Sequence, residues 1–225
     1  MDIKSDNLKK EIRRMMTLGH IAPDNLPDID LYMDQLTTFM DQYLSGNKRN
    51  EDEKTLTKTM INNYTKNELL PPSEKKRYSK DHLILLIYIY YLKNVISIGD
   101  IQTMLAPLIE GYYKNPQANH SLQEIYESQY KLEQRQHFQV EDSIVKTLEL
   151  CEKDFSGNED SYIKTFTFLS LLGYDIYQKK KLMEKIIDEM SAEMKEKQEE
   201  QEKQKEAEKE AKKESRKKDK KKPEE

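Results

Sequence analysis

The sequence contains no tryptophan, one cysteine, six glycines and seven prolines in 225 residues. A single cysteine excludes an intramolecular disulfide framework and a cysteine-based zinc knuckle, which fits a reducing compartment. So few glycines and prolines argue against an all-β sandwich or barrel with many tight turns. The chain also lacks the two glycine-rich phosphate-binding patterns, GxGxxG and GxxxxGK.

Long apolar runs are equally scarce. The longest is LILLIYIYYL at 83–92, ten residues, whereas a helix that crosses a bilayer needs about twenty. The N-terminal segment 1–16 is charged throughout and has no apolar stretch typical of a signal peptide. We therefore expect a soluble cytoplasmic protein that does not contact a membrane.

Patterns that indicate catalysis or metal binding are missing as well. The four histidines, at 20, 82, 120 and 137, form no HExxH motif and no paired spacing. No nucleophile stands beside a base in a recognisable arrangement. The sequence therefore predicts no enzyme, no cofactor and no metal site.

Charge and helical periodicity are what the sequence does contain. Charged and hydrophobic residues each make up 36% of the chain, so the core is modest. Apolar positions recur every three or four residues, which predicts a mainly α protein. We expect strands only as a short ribbon near 71–78, and we expect Pro107 to end a helix that begins at 98.

The charges are unevenly distributed. Residues 54–93 carry a net charge of +5, whereas the flanks 1–53 and 94–192 carry −4 and −6. A polyphosphate would be repelled by the flanks and attracted to the stretch between them. If the chain binds nucleic acid, we expect it to do so there.

Within this basic stretch, residues 57–67 are predicted to form a short helix with Thr57 as its N-cap. Its inner side is apolar, whereas no acid occurs between Lys54 and Glu68. Lysine and asparagine can donate to base edges and phosphates, and threonine can contact either. The outer residues, which we take as candidates for major-groove contacts together with Thr57, are Lys58, Thr59, Asn62, Asn63 and Lys66.

A basic protrusion follows this helix. The pair Pro71-Pro72 ends the helical segment, and the next candidates for DNA contact are Lys75, Lys76, Arg77 and Tyr78. A basic helix beside a basic loop with an aromatic tip is the layout of a winged helix-turn-helix, in which the helix reads bases and the wing holds phosphates.

The order of these short motifs resembles a known module. The patterns T-x-T-M-I-N-N-Y, L-L-P-P, K-R-Y-S and S-I-x-D-I-x-x-M-L follow one another between residues 57 and 105. This order resembles the MerR-type winged-helix DNA-binding module, and residues 25–110 also resemble the bacterial family labelled domain of unknown function 1836. The matching residues are Thr57, Tyr64, Leu69, Leu70, Pro71, Arg77, Tyr78, Ser79, Ile98, Ile101 and Leu105.

The resemblance implies a domain organisation with a DNA-binding function. We predict an N-terminal helical extension (1–28), a MerR-like winged helix-turn-helix domain (29–110), a helical dimerisation or interaction region (111–192) and a Lys/Glu-rich tail (193–225) that is helical or disordered. Glu68 stands where the module has a glycine, and we expect Asn67 to take the left-handed turn conformation instead.

Two functions are consistent with these patterns. The first is a DNA-binding transcriptional regulator that binds double-stranded DNA as a homodimer formed through its C-terminal helices. In these helices Phe166, Leu169, Gly173 and Ile176 repeat by threes and fours, as in a helix–helix seam. The second is a protein–protein interaction module that has the winged-helix fold but does not bind DNA. Salt distinguishes the two, because DNA binding weakens steeply as salt rises.

Overall fold

The computed structural model describes residues 5–17, 21–155 and 161–219. Over these residues it has seven α-helices and one two-stranded sheet, so the mainly α prediction is confirmed. Two single 3-10 turns, Pro23–Asn25 and Ser45–Asn47, stand between the longer elements. In chain order the α-helices and strands are α1 (Ser5–Thr17), β1 (Leu31–Tyr32), α2 (Met33–Leu44), α3 (Lys58–Lys66), β2 (Arg77–Tyr78), α4 (Lys80–Leu92), α5 (Ile98–Tyr112), α6 (Leu122–Asp154) and α7 (Ser161–Asp219).

Helix α4 forms the centre of the core. Every residue from 83 to 90 is buried, because a helix that is apolar on all sides must be covered on all sides. It contacts α5, α6 and β2. The longest apolar run of the sequence is therefore the central buried helix.

Short polar side chains fix where the helices begin. The hydroxyl oxygens of Thr57, Ser97 and Ser121 each accept a backbone N–H three residues later at 3.1 Å. Each bond satisfies an amide that has no partner within the helix. These caps confirm the predicted starts of α3 and α5.

The sheet differs from the prediction. Strand β1 pairs with β2 in antiparallel register, Leu31 opposite Tyr78 and Tyr32 opposite Arg77. The sequence predicts the ribbon near 71–78, but only β2 lies there, and its partner β1 is at residues 31–32, far earlier in the chain. A two-residue strand is too short to show the alternation that marks strands in a sequence.

Pro107 does not end its helix, because α5 continues through it to Tyr112. A proline in a helix leaves the carbonyl four residues earlier without its partner. Pro107 lies on the exposed side of α5, where water can bind that carbonyl. The predicted end of this helix was therefore wrong.

Helices α6 and the first part of α7 pack together. Leu148, Cys151 and Phe168 form a buried cluster, against which Leu8 and Leu172 also pack. Cys151 is a small buried hydrophobic residue there, on the apolar face of α6. In this way α1 and α7 each cover part of α6.

The chain divides into two compact units, Met1–Leu182 and Met183–Glu225. In the second unit α7 continues to Asp219, so the predicted Lys/Glu-rich tail is helical over 193–219. The last six residues of the tail, 220–225, and His20 lie outside the described residues. The predicted domain boundaries at 28, 110 and 192 stay predictions. Among the described helices, none combines the length and the apolar character that a membrane span requires.

Candidate functional site

Helix α3 turns one side to the core and the other to solvent. Ile61 and Tyr64 are buried, and Leu56 just ahead of the helix is buried too. We call the opposite side the outer face of α3. Its members are all exposed: Lys58, Thr59, Asn62, Asn63 and Lys66.

Buried polar contacts hold the segment that leads into α3. Thr55 is buried, and its hydroxyl donates to Asp41 Oδ1 in α2 at 3.0 Å. Its carbonyl accepts from Lys93 Nζ at the end of α4 at 3.0 Å. Lys48 donates to the same Asp41 oxygen at 2.7 Å and lowers the pKa of that carboxyl. The long charged loop before α3 is therefore anchored to two helices.

The end of α3 contains a strained residue. Glu68 has a φ of +57°, in the left-handed region, whereas Asn67 has a φ of −95°. The amides of Leu69 and Leu70 both donate to the carbonyl of Tyr64, at 2.9 and 3.2 Å. Our expectation that Asn67 would take the left-handed conformation was wrong. The two hydrogen bonds to the Tyr64 carbonyl place the left-handed residue one position later, at Glu68.

A hairpin with a two-residue turn follows, and both turn residues are lysines. The amide of Arg77 donates to the carbonyl of Glu74 at 2.8 Å and the reverse bond measures 3.1 Å. Between them Lys75 and Lys76 have φ values of +49° and +64°. Positive φ at both central residues is the type I′ turn, which favours Asn-Gly. We call Glu74–Arg77 the lysine turn.

Two contacts place the lysine turn and the start of α3 beside the same end of α2. Arg77 Nη2 donates to the Tyr32 hydroxyl at 3.0 Å, and its guanidinium lies 5.1 Å from the centre of that ring. Two residues further along, Asp34 forms an ion pair with Lys58 of α3. Because Tyr32 and Asp34 flank the start of α2, the hairpin and the outer face of α3 adjoin there.

The charge of this surface is only partly neutralised. Asp34 pairs with Lys58, and Lys114 Nζ binds Glu74 at 2.7 Å, which lowers the pKa of the Glu74 carboxyl. In the described part of the chain, no ion pair joins the remaining lysines of the surface to an acid. Those lysines are Lys66, Lys75 and Lys76.

Tyr78 is not the exposed aromatic tip that we predicted. It is only 5% exposed, because it lies in β2 opposite Leu31 with its ring edge-on to His82 at 5.4 Å. Tyr78 supports the base of the hairpin from inside. An exposed aromatic residue beside the hairpin is Tyr32, on strand β1.

His82 joins three parts of the fold. It is fully buried, and its Nδ1 accepts the amide of Ser79 at 3.0 Å. Its Nε2 therefore carries the proton and faces the carbonyl of Pro72 at 3.3 Å and the Tyr113 hydroxyl at 3.0 Å. One imidazole thus fixes the start of α4, the entry to the hairpin and the end of α5.

The burial of His82 has a consequence for stability. Burial lowers the pKa of its imidazole below the ordinary 6.5, and the nearby cation of Lys114 acts in the same direction, whereas the carbonyl of Pro72 and the carboxylate of Asp81 oppose the shift. The folded state therefore prefers neutral His82. Its contribution to stability is complete above the unfolded pKa and is lost as pH falls through the folded pKa.

Sequence inspection missed three residues of this site. Tyr32 and Asp34 lie more than twenty positions before α3, and no local pattern connects them to it. His82 at the third position of α4 replaces the usual glutamate or glutamine of a capping box opened by Ser79. That pattern, serine followed three residues later by histidine, could have identified His82 as a capping residue.

The arrangement offers cations, amides and hydroxyls on an exposed surface. A cavity of about 320 Å³ beside the start of α3 is open to solvent and is lined by Thr37, Asp41 and Lys54 among others. No group of three or more metal-ligating side chains occurs among the described residues. The lysines and asparagines of this surface can donate hydrogen bonds to a partner.

Comparison with known proteins gives one match. The family model described as Domain of unknown function (DUF1836) matches residues 21–129, slightly less than half of the chain. No curated protein and no solved structure matches the chain. The predicted resemblance to this family is confirmed over residues 21–129, which reach into the first part of α6, and the MerR-type resemblance stays a prediction.

Proposed function

We propose that this protein is a non-enzymatic, cytoplasmic DNA-binding regulator of transcription with a MerR-like winged-helix module. In this proposal α3 enters the major groove with its outer face, and the lysine turn acts as the wing that holds phosphates of the adjoining backbone. The observation that carries the proposal is the pairing of an exposed, acid-free helix face with a hairpin whose two tip residues are lysines. Both features adjoin the same end of α2.

The roles of the individual residues follow from their placement. Asn62 and Asn63 lie in the middle of the outer face, where a bidentate amide suits the edge of adenine. Lys66, Lys75 and Lys76 lie at the ends of the surface and suit phosphates. Arg77 keeps donors available beyond the one that it gives to Tyr32. We omit Tyr78 from the contact surface because it is buried.

The experiment is selection of bound fragments from random duplex DNA with the whole chain, followed by titration against the enriched sequence. We expect Asn62→Ala to cost about 1–3 kcal/mol on that sequence and to relax specificity at one position. Lys76→Ala is expected to weaken binding to all sequences alike. Recovery of no enriched sequence by the intact chain would contradict the proposal.

A matched pair of lysine variants separates DNA contact from general charge. Lys66 lies in the last turn of α3 and Lys153 in the last turn of α6, and both are exposed, so each has the same favourable interaction with its helix dipole. Lys66→Ala is expected to reduce the slope of log affinity against log salt by about one, and Lys153→Ala to leave it unchanged. Equal slopes in the two variants would place α3 away from the DNA.

The Asp34–Lys58 pair favours a second candidate function. An acid at the edge of the outer face would repel phosphate, so the same surface suits a protein partner with mixed charges. Under this alternative the chain is an interaction module without DNA binding. Its association would then weaken much less steeply with salt than DNA binding would.

A further inference from the structure

The first part of α7 carries a stripe of exposed apolar side chains. Phe168 and Leu172 point toward α6, and the stripe lies about a quarter-turn around the helix from them. Its five large members are between 54% and 66% exposed. We call them the α7 stripe: Tyr162, Phe166, Leu169, Ile176 and Tyr177.

The α7 stripe is large for an apolar surface that is exposed to water. An aromatic side chain has a surface of about 150–250 Å², so the three aromatic members, each more than half exposed, together with Leu169 and Ile176 present about 500 Å². That is near the upper end of the largest apolar patch on an ordinary monomer. Two such stripes face to face would bury about 1,000 Å², which is about the lower limit for a specific interface.

Gly173 makes the stripe self-complementary. It lies within the stripe, and a Cβ added at that position would meet nothing within 4 Å. The single chain therefore has no steric need for glycine there, although glycine in a helix costs about 1 kcal/mol relative to alanine. A glycine in this place forms a notch that can receive a large side chain from another helix.

Phe166 is a side chain that fits this notch. Its ring stacks on that of Tyr162, with centroids 6.2 Å apart, so the two form one rigid projection. Phe166 and Gly173 are two helical turns apart on the same stripe. One surface thus carries both a projection and a notch, which is what a two-fold interface between identical chains requires.

The spacing also sets the direction of pairing. When two α7 helices run antiparallel with Phe166 of each copy opposite Gly173 of the other, Tyr162 lies opposite Tyr177 and Leu169 opposite Ser170. Both ends of the stripe then meet apolar partners. In parallel pairing Phe166 would oppose Phe166 and Gly173 would oppose Gly173, which leaves a void between the two glycines.

We propose that the α7 stripe is the homodimer interface of this protein, formed by a second copy in antiparallel orientation with Phe166 seated at Gly173. Such a dimer would supply the second half-site for the proposed DNA binding. The interface does not depend on that function and is tested without DNA, so the two proposals fail independently.

The first experiment measures mass by sedimentation over a dilution series of the intact 26.8 kDa chain. We expect a dimer at micromolar concentration. Phe166→Glu should weaken association by about thirtyfold or more, as expected for loss of a central aromatic anchor. Phe138→Glu is the matched control, because Phe138 is also exposed but lies on α6 away from the stripe.

The second variant tests the notch. Gly173→Leu adds a good helix former in open space, so the single chain should fold at least as well. It should nevertheless weaken association by about tenfold, because the added side chain occupies the place of Phe166 from the other copy. Circular dichroism and thermal melting of each variant show that the helices are kept.

The third measurement tests direction through disulfide formation. Tyr162→Cys and Tyr177→Cys chains, mixed and oxidised, should give the mixed cross-linked dimer, and each alone should give little. Cys151 is buried and does not compete. A monomeric intact chain, a dimer insensitive to Phe166→Glu, equal or tighter association of Gly173→Leu, or cross-linking of each cysteine variant with itself would overturn the proposal.

Discussion

The lysine turn gives the sharpest prediction, because its stability and its proposed function oppose each other. Lys75 and Lys76 occupy the two central positions of a type I′ turn with positive φ, where Asn-Gly is the favoured pair. Replacing them as Lys75→Asn with Lys76→Gly should therefore stabilise the hairpin. The same double substitution removes the two tip charges that would hold phosphates.

The expected magnitudes follow from the geometry. The left-handed conformation costs a residue with a side chain roughly 1–2 kcal/mol, and glycine removes this cost. Glycine also loses more conformational entropy on folding, which offsets part of the gain in stability. We expect the free energy of unfolding to rise by about 1 kcal/mol, which raises Tm by about 2–4 °C for a chain of this size. Loss of two phosphate contacts should lower the salt slope by about 1.8.

The assay is a pair of measurements on each protein: thermal or urea unfolding, and titration of duplex DNA at several salt concentrations. The control is Lys75→Arg with Lys76→Arg, which keeps both charges and both strained φ values. It should match the parent protein in stability and in salt slope. The Asn-Gly variant should be more stable than either and should bind DNA more weakly by about tenfold at low salt.

Two outcomes would refute this argument at different points. A drop in stability for the Asn-Gly variant would show that the turn is not strained as its φ values indicate. A gain in stability with unchanged DNA affinity and salt slope would show that the turn is correctly described but does not contact DNA.

Three further predictions concern single residues. Glu68→Gly should raise the free energy of unfolding by about 0.5–1 kcal/mol, because φ is +57° there; a less stable variant in urea unfolding would contradict this. Asp34→Asn should strengthen DNA binding a few-fold at low salt by releasing Lys58, and an unchanged affinity would show that Lys58 does not face the DNA. Below the unfolded-state pKa near 6.5, the free energy of unfolding of the parent protein should fall by up to about 1.4 kcal/mol per pH unit, because unfolding lets His82 take up a proton. His82→Gln keeps a capping side chain for Ser79, so its free energy of unfolding should fall less between about pH 7 and 5. Unfolding measurements over this pH range check the difference.

Helix positions were predictable because their determinants are local. The hydroxyl caps at Thr57 and Ser97 lie at the starts of helices that the sequence predicts, and the apolar run at 83–92 is the buried helix. Each of these features acts over four residues or over one turn. Local sequence is sufficient for them.

The missed features depend on contacts between distant segments. Strand β1 exists because Leu31 and Tyr32 pair with residues 77 and 78, and no pattern of two residues encodes such a pairing. Burial of Tyr78 follows from the same pairing. The ion pair of Asp34 with Lys58 joins α2 to α3. The composition of the outer face could be predicted, but its neighbours could not.

Backbone strain gives the last argument about where this surface acts. Among the described residues that are not glycine, positive φ occurs at Glu68, Lys75, Lys76 and Lys114. The first three lie between the end of α3 and β2, and the fourth binds Glu74 of the lysine turn. Each costs free energy that asparagine or glycine would largely avoid. A hairpin that served only the fold would be more stable with Asn-Gly at its tip, so two lysines held there at a cost are best explained by a partner that needs their charge.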